Sequence, residues 1–194
     1  MKKKIFILAA LIMLVSIMAQ GTLAYFNAQE RSYNVITTSD VQVEIIEKTR
    51  DQSGKLIDFP EAGVIGVMPG IDVTKQVSVK NIGGGDAWVR AKVTVVVKDA
   101  LGNEKDLTFG PGDKDVLSYP IQAGWSDGGD GYYYYDRSLA DGETTALLMD
   151  LVTFHPELGN DYQNCKAEIT VSVQAVQTAN NGSSVREAKG WPAD

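Results

Sequence analysis

One cysteine, Cys165, and one histidine, His155, are all that 194 residues supply of the two side chains that most often build nucleophilic and metal sites. A single cysteine excludes any disulfide within the chain. A single histidine excludes the His-Glu-x-x-His helix, whose two imidazoles one turn apart hold a catalytic zinc. His155 stands before Pro156 and reads as a loop residue following a strand. Cys165 opens the last strand and reads as a small apolar side chain. A Cys165–His155 dyad has the bare residues but no supporting motif. The chain is therefore not expected to be an enzyme, and neither a metal nor an organic cofactor is expected.

Bases are also scarce. Eighteen lysines and arginines face 25 acids, a net charge of −7. Such acidity argues against nucleic acid and anionic membrane surfaces as partners. No apolar run reaches the ~20 residues that span a bilayer. The nearest, Ile5 to Ala19, is apolar except for Ser16, and Lys2, Lys3 and Lys4 precede it. Thr22 and Ala24 then place small residues at the −3 and −1 positions of a cut between Ala24 and Tyr25. A positive start, a short apolar stretch and a small-residue exit describe a secretory signal peptide over residues 1–24. Membrane contact is expected only through this leader, before cleavage. The remaining 170 residues would carry 15 bases against 25 acids, net −10. An exported domain without disulfides must draw its stability from its core or from neighbouring subunits.

Period-two alternation is what the rest of the chain has in quantity. Val89, Ala91, Val93, Val95 and Val97 share one face, opposite Trp88, Arg90, Lys92, Thr94 and Lys98. Ala167, Ile169, Val171, Val173 and Ala175 oppose Lys166, Glu168, Thr170, Ser172 and Gln174. Strands with one wet and one dry face belong to antiparallel sheets packed on a core. Val41 to Ile46 and Val73 to Lys80 follow the pattern less strictly, with Lys75 an exception on an apolar row, and Thr145 to Phe154 is apolar on both faces. Glycine-bearing turns punctuate these runs, which predicts an all-β sandwich or barrel over residues 40–180 rather than βαβ units. Ser184 to Glu187 carries a capping-box pattern, so residues 181–194 form a tail or a short helix. The stretches "MPGIDVTKQVSVKN" and "ADGETTALLMDLVTF" echo each other as turn-then-strand units, expected in related places of two sheets.

Two loops and one strand invite binding readings. Asp113 and Asp115 in "GPGDKD", and Asp127 and Asp130 in "SDGGDG", offer carboxylates but not the EF-hand spacing, and read as turn formers. "YYYYD" places Tyr132 and Tyr134 on one face and Tyr133 and Tyr135 on the other. One pair packs inward while the other covers the outer face or an interface. Core and cross-strand packing explains most of the run, and an exposed pair with Trp88, Trp125 and Trp191 would form an assembly or sugar-binding surface.

The stretch "GTLAYFNAQ", where the leader runs directly into Ala-Tyr-Phe-Asn, resembles the export signal of proteins cut by the SipW-type signal peptidase of Gram-positive bacteria. "MPGIDVTKQVSVKNIGGGDAWVRAKVTV", "DGYYYYDRSLADGET" and "AEITVSVQAVQTANNG" look like the early core, the tyrosine segment and the closing strand of the TasA and camelysin family. The chain departs from that family in "AQERSYNVITTSDVQVEI", which lacks a glycine-containing turn before the first core strand. The resemblance implies a jelly-roll β-sandwich and a secreted place in the biofilm matrix or at the cell surface. It implies processing by a SipW-type peptidase and assembly into a homopolymer, or with related matrix proteins, by strand donation. Residues 25–39 would be the donor segment, with Tyr33, Val35 and Thr37 alternating along it as an added strand requires. Two other readings stay open: a camelysin-like cell-surface metallopeptidase, and a monomeric surface binding module.

Overall fold

The computed structural model describes residues 41–60, 69–162 and 164–193, and within them nearly every regular element is a β-strand. The leader with its Ala24–Tyr25 junction, and the Tyr33, Val35 and Thr37 row, lie outside the described residues.

The cleanest alternation in the sequence becomes the backbone of one sheet. Strand β4 (Ala87–Lys98) and strand β12 (Lys166–Gln177) pair antiparallel along their whole length, from Ala87 opposite Gln177 to Lys98 opposite Lys166. This register sets Val89 against Ala175, Ala91 against Val173 and Val93 against Val171, so both apolar rows face the same side. On the opposite side Lys98 reaches Glu168 at 2.9 Å. Strands β10 (Tyr133–Tyr135) and β9 (Trp125–Asp127) extend this sheet in the order β12-β4-β10-β9, and the short β5 (Glu104–Lys105) pairs with the end of β4.

The second sheet has the order β2-β1-β3-β11-β8, from β1 (Val43–Arg50), β2 (Leu56–Asp58), β3 (Asp72–Asn81), β8 (Leu117–Ser118) and β11 (Met149–Phe154). A separate two-stranded piece joins β6 (Thr108–Phe109) to β7 (Lys114–Asp115). Every pairing is antiparallel. Val77, Val79 and Met149 from one sheet meet Val89, Ala91, Val173 and Ala175 from the other, closed at one side by Trp125 and Tyr135. The protein is an antiparallel β-sandwich, its chain passing repeatedly from one sheet to the other.

Four local departures from simple alternation have physical causes. Thr145 to Phe154 is not one strand: β11 begins at Met149, and its register against β3 shifts between Met149 and Leu151. That bulge is why both faces looked apolar. Upstream, the Thr145 hydroxyl takes the place of a ladder carbonyl, accepting from Val79 N at 3.0 Å. Lys75 is buried in spite of its charge, because Glu47 lies 3.1 Å away and the Phe59 ring 4.1 Å away. The two echoing turn–strand stretches do not sit in different sheets; they contain β3 and β11, which pair directly within one. The true repeat is a pair of five-residue loops, Asp51–Lys55 and Asp99–Asn103, one in each sheet. In both, the aspartate Oδ1 accepts from the backbone nitrogens two and four residues on, at 2.8 and 2.9 Å. In both, a glycine at φ near +80° (Gly54, Gly102) completes the turn. Side-chain hydrogen bonds, from the Ser53 hydroxyl to Asp51 and the Asn103 amide to Asp99, do most to hold these carboxyls below their ordinary value, and the backbone bonds add to them.

Candidate functional site

The outer face of the β4–β12 sheet has two halves. Toward one end it is wet, carrying Lys92, Thr94, Ser172 and Thr170. Toward the other it carries Trp88, Tyr132, Tyr134 and Val176, all buried, because residues 178–193 fold back across them and pack Val185, Ala188 and Trp191 on top. No helix forms in this strap. Ser183, rather than Ser184, meets the Glu187 carboxylate, donating from its N at 3.1 Å and its hydroxyl at 2.7 Å, and the chain makes a single turn there.

Arg90 is the centre of this arrangement. Its guanidinium lies 3.9 Å from the Tyr132 ring centre on one side and 4.7 Å from the Trp191 ring on the other. Its Nε donates to Gln174 Oε1 at 2.8 Å, and Nη1 reaches the Tyr134 hydroxyl at 3.2 Å. The same hydroxyl donates to Asp130 Oδ2 at 2.6 Å. Arg186 of the strap covers the Tyr134 ring at 4.4 Å and donates to the Asp127 carbonyl at 2.8 Å. Cation and ring thus alternate through the stack, each guanidinium retaining its hydrogen bonds while partly desolvated.

The tyrosine run splits by face as its period requires. Tyr133 and Tyr135 turn to the core, where Tyr135 packs on Trp125 with ring centres 5.2 Å apart. Tyr132 and Tyr134 turn outward but are only 6% and 7% exposed. Of the readings open to this run, packing describes what is seen: one pair builds the core, and the other covers the outer face beneath the chain's own C-terminal strap. Trp88, Trp125 and Trp191 are engaged likewise, each indole donating to a carbonyl, of Asn181, Ala146 and Ala188 respectively.

The hydrogen bond from Tyr134 holds the Asp130 carboxyl below its ordinary 3.8, and burial pushes the Tyr134 hydroxyl above its ordinary 10.0. A depressed carboxylate stabilises the fold above its unfolded pKa and loses that contribution as pH falls through the folded one. A raised phenol stabilises below its unfolded pKa and loses that contribution as pH rises through the folded one. The stack is thus expected to hold between about pH 4 and pH 10 and to loosen beyond both limits. Following the Trp191 indole resonance through a pH titration checks this, and Asp130→Asn should abolish the acid-side change at that resonance. An acid-side change that survives the substitution would assign it to another carboxylate.

The other candidates are engaged locally. Asp127 Oδ1 accepts from Gly129 N, and Asp130 Oδ1 from Tyr132 N. Asp113 adopts φ 47° directly after Gly112, in the turn that joins β6 to β7, and Asp115 lies on β7. His155 stacks edge-on against Phe109 at 5.0 Å, and its Nδ1 accepts from Glu157 N. Cys165, like Phe109, Leu158 and Tyr162, packs against the buried cluster of Val97, Val116, Leu117 and Val152, and its Sγ lies 3.8 Å from the Asp161 carbonyl. Among the described residues no group of three His, Cys, Asp or Glu side chains could hold a metal ion, and no helix is long and apolar enough to cross a membrane.

One edge stands out. β12 is twelve residues long and bonds only β4 among the described strands. The other sheet ends in β2 and β8, of three and two residues, and β9 closes this sheet with three. Comparison of the chain with family models, curated proteins and solved structures finds no match.

Proposed function

We propose that this chain is a secreted structural protein of the extracellular matrix or cell surface, a subunit that assembles through β-strand addition. The observation that carries this reading is the length of β12 and its pairing on one side only among the described residues. An antiparallel strand directs alternate pairs of N–H and C=O groups to its two sides. A twelve-residue edge therefore presents a row of donors and acceptors to any added strand, where short edges do not. The sequence supplies a matching segment in Tyr33, Val35 and Thr37, whose alternation suits insertion along such an edge. The donor and acceptor are different surfaces, so repetition is head-to-tail and generates an open filament. The apolar leader and the Ala24–Tyr25 junction support export, with release of the N-terminus by a SipW-type peptidase as the step that frees the donor. The resemblance of several segments to the TasA and camelysin proteins supports the same reading.

The test compares the protein starting at Tyr25 with one starting at Asp40, by light scattering and negative-stain microscopy. Filaments from the first and monomers from the second are expected. Val35→Pro, which removes one ladder donor, should shorten or abolish the filaments while leaving the sandwich folded. Compact monomers from both lengths would overturn the assembly reading and favour a monomeric surface module.

A further inference from the structure

The chain contains one Asn-Gly dipeptide, Asn181-Gly182, and it lies at the root of the C-terminal strap. Glycine has no Cβ to keep its peptide nitrogen away from the preceding side chain, so this dipeptide is where an asparagine cyclises most readily. Here the asparagine is also the pin of the strap. Its Nδ2 donates to the Gln177 and Lys189 carbonyls, each at 3.0 Å, and its Oδ1 accepts from Lys189 N at 2.8 Å. Its backbone carbonyl accepts from the Trp88 indole at 3.0 Å. One side chain thus ties the end of β12 to the far end of the strap. The glycine is held in place too: it sits at φ +75°, and a Cβ there would meet Glu187 backbone and side-chain carbons at 3.0 Å.

We propose that Asn181 is a deamidation site that acts as a one-way latch on the strap. The Gly182 nitrogen attacks Asn181 Cγ, forming the N–Cγ bond of a succinimide while the Cγ–Nδ2 bond breaks and ammonia leaves. Water then opens the ring, leaving a carboxylate in an aspartyl or isoaspartyl linkage. No oxidant or other reactant is needed. In the folded protein the carboxamide is turned toward Gln177 and Lys189, and it must leave those three bonds before Cγ meets the Gly182 nitrogen. The reaction is therefore gated by strap opening. Afterwards the carboxylate has no hydrogen to donate, and it faces the two carbonyl oxygens that Nδ2 had satisfied. Reclosure is disfavoured, and the Trp88, Tyr132 and Tyr134 surface beneath becomes accessible.

The experiment is to age the purified protein at mildly alkaline pH, in native buffer and in urea, and to map peptides by mass spectrometry. A one-dalton gain confined to Asn181 is expected, roughly tenfold or more slower in native buffer than in urea. Aged native protein, and separately Asn181→Asp, should be cut by trypsin after Arg186 or Lys189 roughly tenfold faster than fresh protein, with the sandwich intact. Asn180→Asp, which adds the same charge one residue away, should leave the cutting rate unchanged. Equal ageing rates in buffer and urea would overturn the gating. Unchanged trypsin cutting of the aged protein, or equal acceleration by Asn180→Asp, would overturn the latch. The aged wild-type protein keeps the test decisive even where Asn181→Asp fails to fold.

Discussion

Glu47→Ala is expected to destabilise the protein by about 3–5 kcal/mol, the range for removing one partner of a buried ion pair. Glu47 and Lys75 lie on neighbouring strands, and the register that sets Glu47 opposite Val77 brings Lys75 diagonally beside it on the core-facing side. Their side chains are 12% and 5% exposed, with Lys75 Nζ 3.1 Å from Glu47 Oε1. The alanine removes the carboxylate that faces a buried ammonium, and that ammonium cannot regain its hydration without opening the sheet. Glu47→Leu combined with Lys75→Met should recover most of the loss, because an apolar pair of similar volume avoids desolvating either charge. Urea unfolding of the two single variants and the double gives the coupling directly. A loss under about 1 kcal/mol for Glu47→Ala would mean that the pair behaves as a surface bridge.

Asn81→Ala should cost about 2–4 kcal/mol, since several buried polar groups lose a partner together. Asn81 is fully buried at the end of β3. Its Nδ2 donates to the Gly85 carbonyl at 2.8 Å and the Leu139 carbonyl at 3.0 Å, and its Oδ1 accepts from Gly83 N at 3.1 Å. Its backbone N–H and carbonyl meanwhile bond Glu143 and Gly142. One side chain therefore organises the β3–β4 crossover and fastens it to the loop before β11. Asn81→Asp should be at least as damaging, because a carboxylate can neither donate to those carbonyls nor tolerate facing them. Thermal unfolding of both variants tests the assignment, and an alanine variant within about 0.5 kcal/mol of the parent would refute it.

Much of the fold was legible because backbone pleating imposes a period of two on any half-buried strand. The rows from Val89 to Val97 and from Ala167 to Ala175 lie inward as the alternation requires. The turn glycines were legible for the same local reason: Gly70, Gly102 and Gly142 adopt positive φ. What could not be read was anything dependent on a distant partner. Lys75 looked like an error in its strand because Glu47 lies 28 residues earlier in the chain. The bulge at Met149 and the Thr145 substitution in the ladder arise from how β11 meets β3. The matched Asp51 and Asp99 loops were legible in principle, since an aspartate three residues before a glycine between strand runs signals such a turn.

The tyrosines draw the division most sharply. Alternation alone determines that Tyr132 and Tyr134 face opposite to Tyr133 and Tyr135, since adjacent side chains on a strand cannot share a side. The sequence by itself also determined the all-β class, the turn positions and the inward rows, because each follows from local backbone geometry and transfer from water. Only the tertiary structure decided what covers the outward pair. Residues more than fifty positions later fold back over them, and Arg90 gains its ring partners from both segments. The reason is physical. Burial of a sheet's outer face, of a lysine or of an asparagine depends on which remote segment supplies matching apolar surface or hydrogen bonds, and no local period encodes that choice.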